Sequence, residues 1–329
     1  MTKHAALTVS NLKVHFPVHS GVFAKVTAAV KAVDGVSFSV ERGEVFALVG
    51  ESGCGKTTTA HAALGLTQPT AGKIELAIGP WKDAPVSWQT LDNKERRTLR
   101  RSIQVVFQDP YSSLNPRQTI RAILEEPFKI HGLLDKKGRE SRLMELLAQV
   151  GLSPEYLDRY PNEFSGGQRQ RIGIARALAT NPEFIVADEP VSALDVSIQA
   201  QVINLLCDLQ KTYHLTILFI SHDLAVVRHI ADRVAVMYLG RIMEMGTQEQ
   251  IFSSPQHPYT RLLLESVPVP GVGRGRRDIP RKDDTAQARL EKGCLFAPRC
   301  HRATAECLAA TPQVIDRGHG HLVACVNPF

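Results

Sequence analysis

No stretch of the 329-residue sequence approaches the 18 or more consecutive apolar residues that a membrane-spanning helix requires; the best runs, VFALV at 45–49 and TILFI at 216–220, are strand-sized. The opening MTKHAALTVS lacks the apolar core of a secretory signal. The expectation is a chain of the cytosol, where glutathione and thioredoxin disfavour structural disulfides. Neither an internal repeat nor a low-complexity tract is visible, which excludes a solenoid. A strong surplus of one charge is lacking as well: 39 Lys and Arg against 33 Asp and Glu leave +6. The basic residues are spread along the chain apart from Arg96, Arg97, Arg100, Arg101 and Arg274, Arg276, Arg277. So moderate an excess reads as a solvated basic surface rather than a nucleic-acid footprint.

What is present is the composition of a globular protein, 43% hydrophobic and 22% charged. The length suggests two domains and is ample for a buried core. Cysteine is the uneven component. Cys54 and Cys207 stand alone, while Cys294, Cys300, Cys307 and Cys325 all fall after residue 293, and in a reducing compartment such a cluster reads as metal ligands.

Strand-like runs alternate with helical patterns, which predicts an α/β fold with a largely parallel sheet. Val45 to Val49 precedes a Gly-rich turn and a small-residue helix from about Thr57 to Leu66. Apolar periodicity predicts further helices over Arg139 to Val150 and Asp195 to Thr212. Phe184–Ala187 and Thr216–Ile220 are apolar throughout, as expected of central strands covered on both faces. The first 40 residues and VAVMYLGRIMEMG read as antiparallel hairpins around Gly turns. After Gln256 the pattern degrades into a short helix, the linker-like GVGRGRRDIPRKDD and the cysteine segment.

Gly50, Glu51, Ser52, Gly53, Cys54, Gly55, Lys56 and Thr57 match GxxxxGK[ST] between a buried strand and a helix, with Thr58 following. Glycines let backbone N–H groups turn inward around phosphate oxygens; Lys56 reaches the β and γ phosphates and the Thr57 hydroxyl faces Mg²⁺. Cys54 stands at a helix N-terminus beside Lys56, a setting that favours the thiolate, although a filler at a permissive position is the plainer reading. Asp188 and Glu189 end an apolar strand, where open α/β sheets bind ligands. Asp188 would hold Mg²⁺ and Glu189 would polarise the attacking water. Ser165, Gly166 and Gly167 open another helix and form a second anion site.

One nucleotide does not need two cradles in one chain. FSGGQRQR at 164–171 resembles the signature of ABC-type ATPases, in which two nucleotide-binding domains pack head to tail and each signature closes over the other's ATP. The resemblance implies a P-loop fold with a RecA-like parallel core, an antiparallel β subdomain and a helical subdomain at about 110–180. It makes Gln108 a sensor of γ-phosphate and metal, places Ser192 to Asp195 across the dimer interface, adds Gln168 to the signature and makes His222 a switch on the γ-phosphate. An aromatic upstream should stack on adenine, and Phe16 is chosen over Phe23. The signature begins with Phe164 rather than the commoner Leu, and Glu189 and His222 are intact.

Longer segments, QDPYSSLNPRQTI, DEPVSALDVSIQAQVINLL, SHDLAVVRHIADRVAVMYLGRIMEMG and HPYTRLLLESVP, resemble the F-type ATPase subunit of dipeptide and oligopeptide ABC importers. That resemblance implies ATP and Mg²⁺, a D-type sister subunit or a second copy of the chain, two permeases and an extracytoplasmic solute-binding protein. Placement would be peripheral, on the cytoplasmic face of the inner membrane, with no nucleic-acid partner. Nickel chelates, glutathione and opines are alternative cargoes of the same family. An ABC ATPase without transport usually carries long insertions or two ATPase domains, neither of which is found here. The division expected is an ABC domain over 1–254 and a C-terminal region over 255–329. Its cysteines, spaced C-x5-C-x6-C-x17-C, resemble a [4Fe-4S] site; four thiolates equally suit Zn²⁺, and reduced cysteines stay open as the third reading. His301, His319 and His321 are close enough in sequence to substitute as ligands.

Overall fold

A computed structural model describes residues 5–20, 25–266 and 292–329. Two long strands, β1 (Ala5–Ser20) and β2 (Lys25–Glu41), pair antiparallel. The chain then crosses into a second sheet through β3 (Val45–Val49) before β4 (Ala71–Leu76) returns to the outer edge of β1. Gly35, expected at a hairpin turn, lies instead inside β2 at φ +89°. The register of β1 against β2 shifts on either side of Val36, so this glycine relaxes a bulge in a continuous strand.

The second sheet adds β5 (Ile103–Val106), β6 (Phe184–Asp188), β7 (Thr216–Ser221), β8 (Arg233–Tyr238), β9 (Arg241–Thr247), β10 (Ile315–Asp316) and β11 (Leu322–Val323). Its order is β10-β11-β9-β8-β3-β7-β6-β5, parallel from β8 to β5 and antiparallel beyond. The β8/β9 hairpin turns at Leu239 and Gly240, as its sequence predicts. Every residue of β3, β6 and β7 is buried, which is why these runs are apolar without alternation. Each large side chain so buried contributes about 1.5–3 kcal/mol.

Helix Lys56–Ala63 starts one residue earlier than its pattern suggested and stops before Gly65, whose φ of +68° ends the turn. Helix Lys136–Gln149 likewise begins ahead of its apolar stripe, because the Asp135 side chain accepts the Gly138 N–H at 2.8 Å. The last residues are not a loose tail. β11 extends the main sheet, and Cys294, Leu295, Phe296 and Cys307 belong to the same buried core as β3 and β7. Among the described residues no helix is long and apolar enough to cross a membrane. The linker at 271–284, with Arg274, Arg276 and Arg277, and the alternative adenine aromatic Phe23 lie outside the described residues.

Candidate functional site

Parallel strands deliver their carboxyl ends to one edge, and there β3 runs into the phosphate loop. Gly50 and Gly55 adopt φ of +150° and +105°. A Cβ on Gly50 would stand 2.1 Å from the Met237 carbonyl, and one on Gly55 would stand 2.2 Å from the Ala32 carbonyl, so backbone on both sides demands glycine. Lys56 is buried at 4% exposure, its ammonium donating to the carbonyls of Gly50 at 2.8 Å and Glu51 at 3.0 Å. Glu51 is tied from the far end of the chain. Its N–H donates to the Tyr259 hydroxyl at 3.1 Å, and its carboxylate takes two parallel bonds of 2.8 Å from Arg299. Ser52 and Gly53 are exposed, Thr57 and Thr58 lie in the first turn of the helix, and Cys54 is buried.

The Cys54 environment reverses the expectation from its neighbours. Burial pushes its thiol up, outweighing the nearby Lys56 ammonium, so a reactive thiolate is not favoured. Cys207, on the helix Val196–Tyr213, is half-buried against the main core, and burial raises its thiol as well.

At the end of β6 the Thr57 hydroxyl donates to Asp188 Oδ1 at 3.2 Å. Burial pushes the Asp188 carboxyl up, and the Thr57 bond partly offsets that. Glu189 has φ +47°, the left-handed region that a non-glycine residue adopts only when its surroundings enforce it. Its N–H is held by the Ile220 carbonyl at 2.9 Å, and its own carbonyl accepts from the Ser192 N–H at 3.2 Å and the Ser192 hydroxyl at 3.1 Å. So held, the Glu189 carboxylate meets His222 Nδ1 at 3.2 Å. The His222 side chain is 55% exposed and Glu189 13%, so the pair faces open space from a fixed base. A carboxylate so placed can accept a proton from a water bound beside it.

The signature lies apart from this group. Ser165 caps helix Gly166–Leu178 in a reciprocal box with Gln168, and a Cβ on Gly167 would stand 2.3 Å from Ile198. Close contact with helix Val196–Tyr213 therefore requires Gly167 to be glycine, and Asp195 sits exposed at that second helix's N-terminus. Gln108 is exposed beyond β5; the neighbouring Phe107 carbonyl accepts a 3.4 Å bond from Gln170 of the signature helix. Phe16, 46% exposed, pairs with Val30 two positions from the Ala32 that touches Gly55, which brings it to the loop's flank. Thr57, Asp188, Glu189 and His222 are thus gathered by direct contact, whereas Ser165 and Gln168 bond each other and Gly167 packs on Ile198.

Residues 33–192 match the family described as ABC transporter, and residues 243–307 match the oligopeptide/dipeptide transporter C-terminal region. The oligopeptide transport ATP-binding protein AppF of Bacillus subtilis is 50% identical across 97% of this chain and 96% of its own length. This chain belongs to the ABC transporter ATP-binding proteins. A peptide import ATP-binding protein of Brucella ovis is also 50% identical, over 99% of both chains. Among solved structures, a dimeric ATP-binding cassette with ADP and phosphate superposes with a TM-score of 0.63 at 28% identity, covering 74% of this chain and 98% of that one. The cassette cbiO1 of Clostridium perfringens, part of the ABC transporter complex cbiONQ, gives 0.64 at 26% identity, covering 76% and 91%. As a member of this family the ABC protein is an ATPase coupled to transport.

In the ABC protein's C-terminal region, Cys294, Cys300, Cys307 and Cys325 line one narrow cavity together with His257. His257 was not singled out by its sequence. Burial pushes its ring down to about 4; Nδ1 accepts the Tyr259 N–H at 3.0 Å, while Nε2 is buried with no partner among the described residues. The three histidines suggested as substitute ligands are placed elsewhere. His301 packs on Phe329, His319 is exposed in a turn, and His321 bonds Glu244 at 2.7 Å. Among the described residues no three His, Cys, Asp or Glu side chains converge closely enough for a single metal ion. As placed, the cysteine sulfurs do not offer one centre about 2.3 Å from each, which tetrahedral Zn²⁺ needs.

Proposed function

We propose that the chain hydrolyses ATP to power import of di- or oligopeptides across the cytoplasmic membrane. On this reading it works peripherally on the cytoplasmic face, paired with a D-type sister subunit and attached to two permeases served by an extracytoplasmic solute-binding protein. The observation that carries the proposal is half identity to peptide-transport ATP-binding proteins along the entire chain, the C-terminal region included. The division at residues 254 and 255 belongs to the same reading. Affinity purification of the tagged chain from detergent-solubilised membranes is expected to bring down a distinct second ATPase and two membrane proteins. Recovery of this chain as the only ATPase would replace the heterodimer with a homodimer.

In the mechanism that follows, Phe16 flanks adenine and the backbone from Gly50 to Thr58 surrounds the phosphates, with Lys56 as the fixed positive charge. Thr57, Asp188 and Gln108 supply hard oxygen donors of the kind Mg²⁺ takes; the bound ion would neutralise charge on the phosphates. Glu189 accepts a proton from the attacking water, and His222, braced on Glu189, reads the γ-phosphate. Ser165, Gly166, Gly167 and Gln168 are offered to the ATP of the partner subunit, with Asp195 at the junction. ATP closes the dimer, and hydrolysis releases it, so that binding free energy moves the permeases.

The cysteine cavity is proposed to hold a [4Fe-4S] cluster. Four thiols around one cavity suit a cluster, in which each thiolate binds a separate iron and the sulfurs need not converge on one centre. The cavity itself is about 10 Å³, room for one water, so loading requires the cysteine-bearing turns to move outward. Anaerobically purified protein is expected to be brown, with about four irons per chain. Colourless, iron-free protein would instead assign Zn²⁺ if metal analysis finds zinc, and reduced core cysteines if it finds no metal.

A further inference from the structure

We propose that Arg299 is a positioning residue for the phosphate loop, neutralising Glu51 beside the triphosphate and fixing the loop from outside the ABC core. Glu51 is a junction, bonded through its N–H, its carbonyl and its carboxylate. Its N–H goes to Tyr259, its carbonyl accepts from Lys56, and its carboxylate takes both Arg299 Nη1 and Nη2 at 2.8 Å. Tyr259 is fully buried and packs on Tyr238 and Phe296, with ring centroids 4.7 and 5.3 Å away. Arg299 in turn lies over Tyr238 and Phe296, each centroid 5.7 Å from the guanidinium carbon. The fork is therefore aimed by an aromatic cluster and not by the loop it grips.

The chemistry of the ligand makes this contact matter. A triphosphate brings several negative charges to a loop whose second residue is an acid. With Arg299 in place the carboxylate is paired and turned toward the guanidinium. Without it, a half-exposed negative charge would stand beside the incoming phosphates. Arg299 ends the short helical turn Ala297–Arg299, between Cys294 and Cys300. The group that holds the ATP loop is therefore followed directly by Cys300, a cysteine of the C-terminal cavity. The inference rests on ATP binding by this family and is independent of the cargo.

The test is a charge cycle on the full-length chain, read by equilibrium binding of a fluorescent ATP analogue and by turnover at saturating ATP. Arg299→Gln is expected to raise Kd about tenfold while kcat stays within about twofold. Glu51→Gln removes the charge together with the fork, so adding it to Arg299→Gln should recover most of the affinity that Arg299→Gln loses, bringing the double variant to the level of Glu51→Gln alone. Arg299→Lys, which keeps the charge and loses the fork, should weaken binding by no more than about threefold. Wild-type affinity in Arg299→Gln, or a double variant as weak as Arg299→Gln, overturns the proposal. If Arg299→Gln does not fold, a tenfold loss in Arg299→Lys overturns it equally.

Discussion

Glu189→Gln should lower ATP turnover roughly a hundred- to a thousandfold while leaving ATP affinity within about twofold. The substitution is isosteric, so the strained turn at φ +47° and the contact with His222 both survive. What disappears is the ability of that oxygen to take a proton. A closed, ATP-loaded dimer should therefore accumulate, visible as a larger species in size-exclusion chromatography when ATP is present. Phosphate release at the wild-type rate from this site would show that another group takes the proton.

Lys56→Ala should have the second large effect, a loss of ATP affinity of roughly a hundred- to ten-thousandfold, from two charge-assisted bonds to phosphate of about 1.5–3 kcal/mol each. The ammonium is buried and held by two loop carbonyls, so its removal leaves the cradle without its fixed charge and those carbonyls without the bonds it gave them. Thermal melting separates binding from folding. Wild-type protein should gain about 2.7 kcal/mol of stability at an ATP concentration of 100 Kd, and Lys56→Ala should gain almost none at that concentration. A normal ATP-induced shift in the variant would show that the loop backbone alone binds the phosphates.

Both residues were legible from sequence because their signals are local: a glycine pattern between strand and helix, and an acidic pair at the end of an apolar strand. The parallel core was legible for the same reason, since β3, β6 and β7 carry unbroken apolar runs. Burial depth was not. Cys54 has the neighbours of a reactive thiol, yet the core behind it decides its protonation. Nor were distant contacts. Arg299 and Glu51 are 248 residues apart, and no periodicity near either one announces the other. His257 is hidden in the same way, because its relation to the cysteines exists only once the helix Pro258–Glu265 has docked beside them. Gly35 misled in the opposite direction, a turn-former used to relax a bulge inside a long strand.

The ties on Glu51 also set an order in time. Its two outside partners, Tyr259 and Arg299, follow it by 208 and 248 residues. At about 5–20 residues per second, a ribosome makes Arg299 roughly 12 to 50 seconds after Glu51. Through that interval the emerging chain already carries Gly50 to Thr57 but not the groups that clamp the loop. The clamp on the ATP loop is completed only once Arg299 has been made, long after the loop itself.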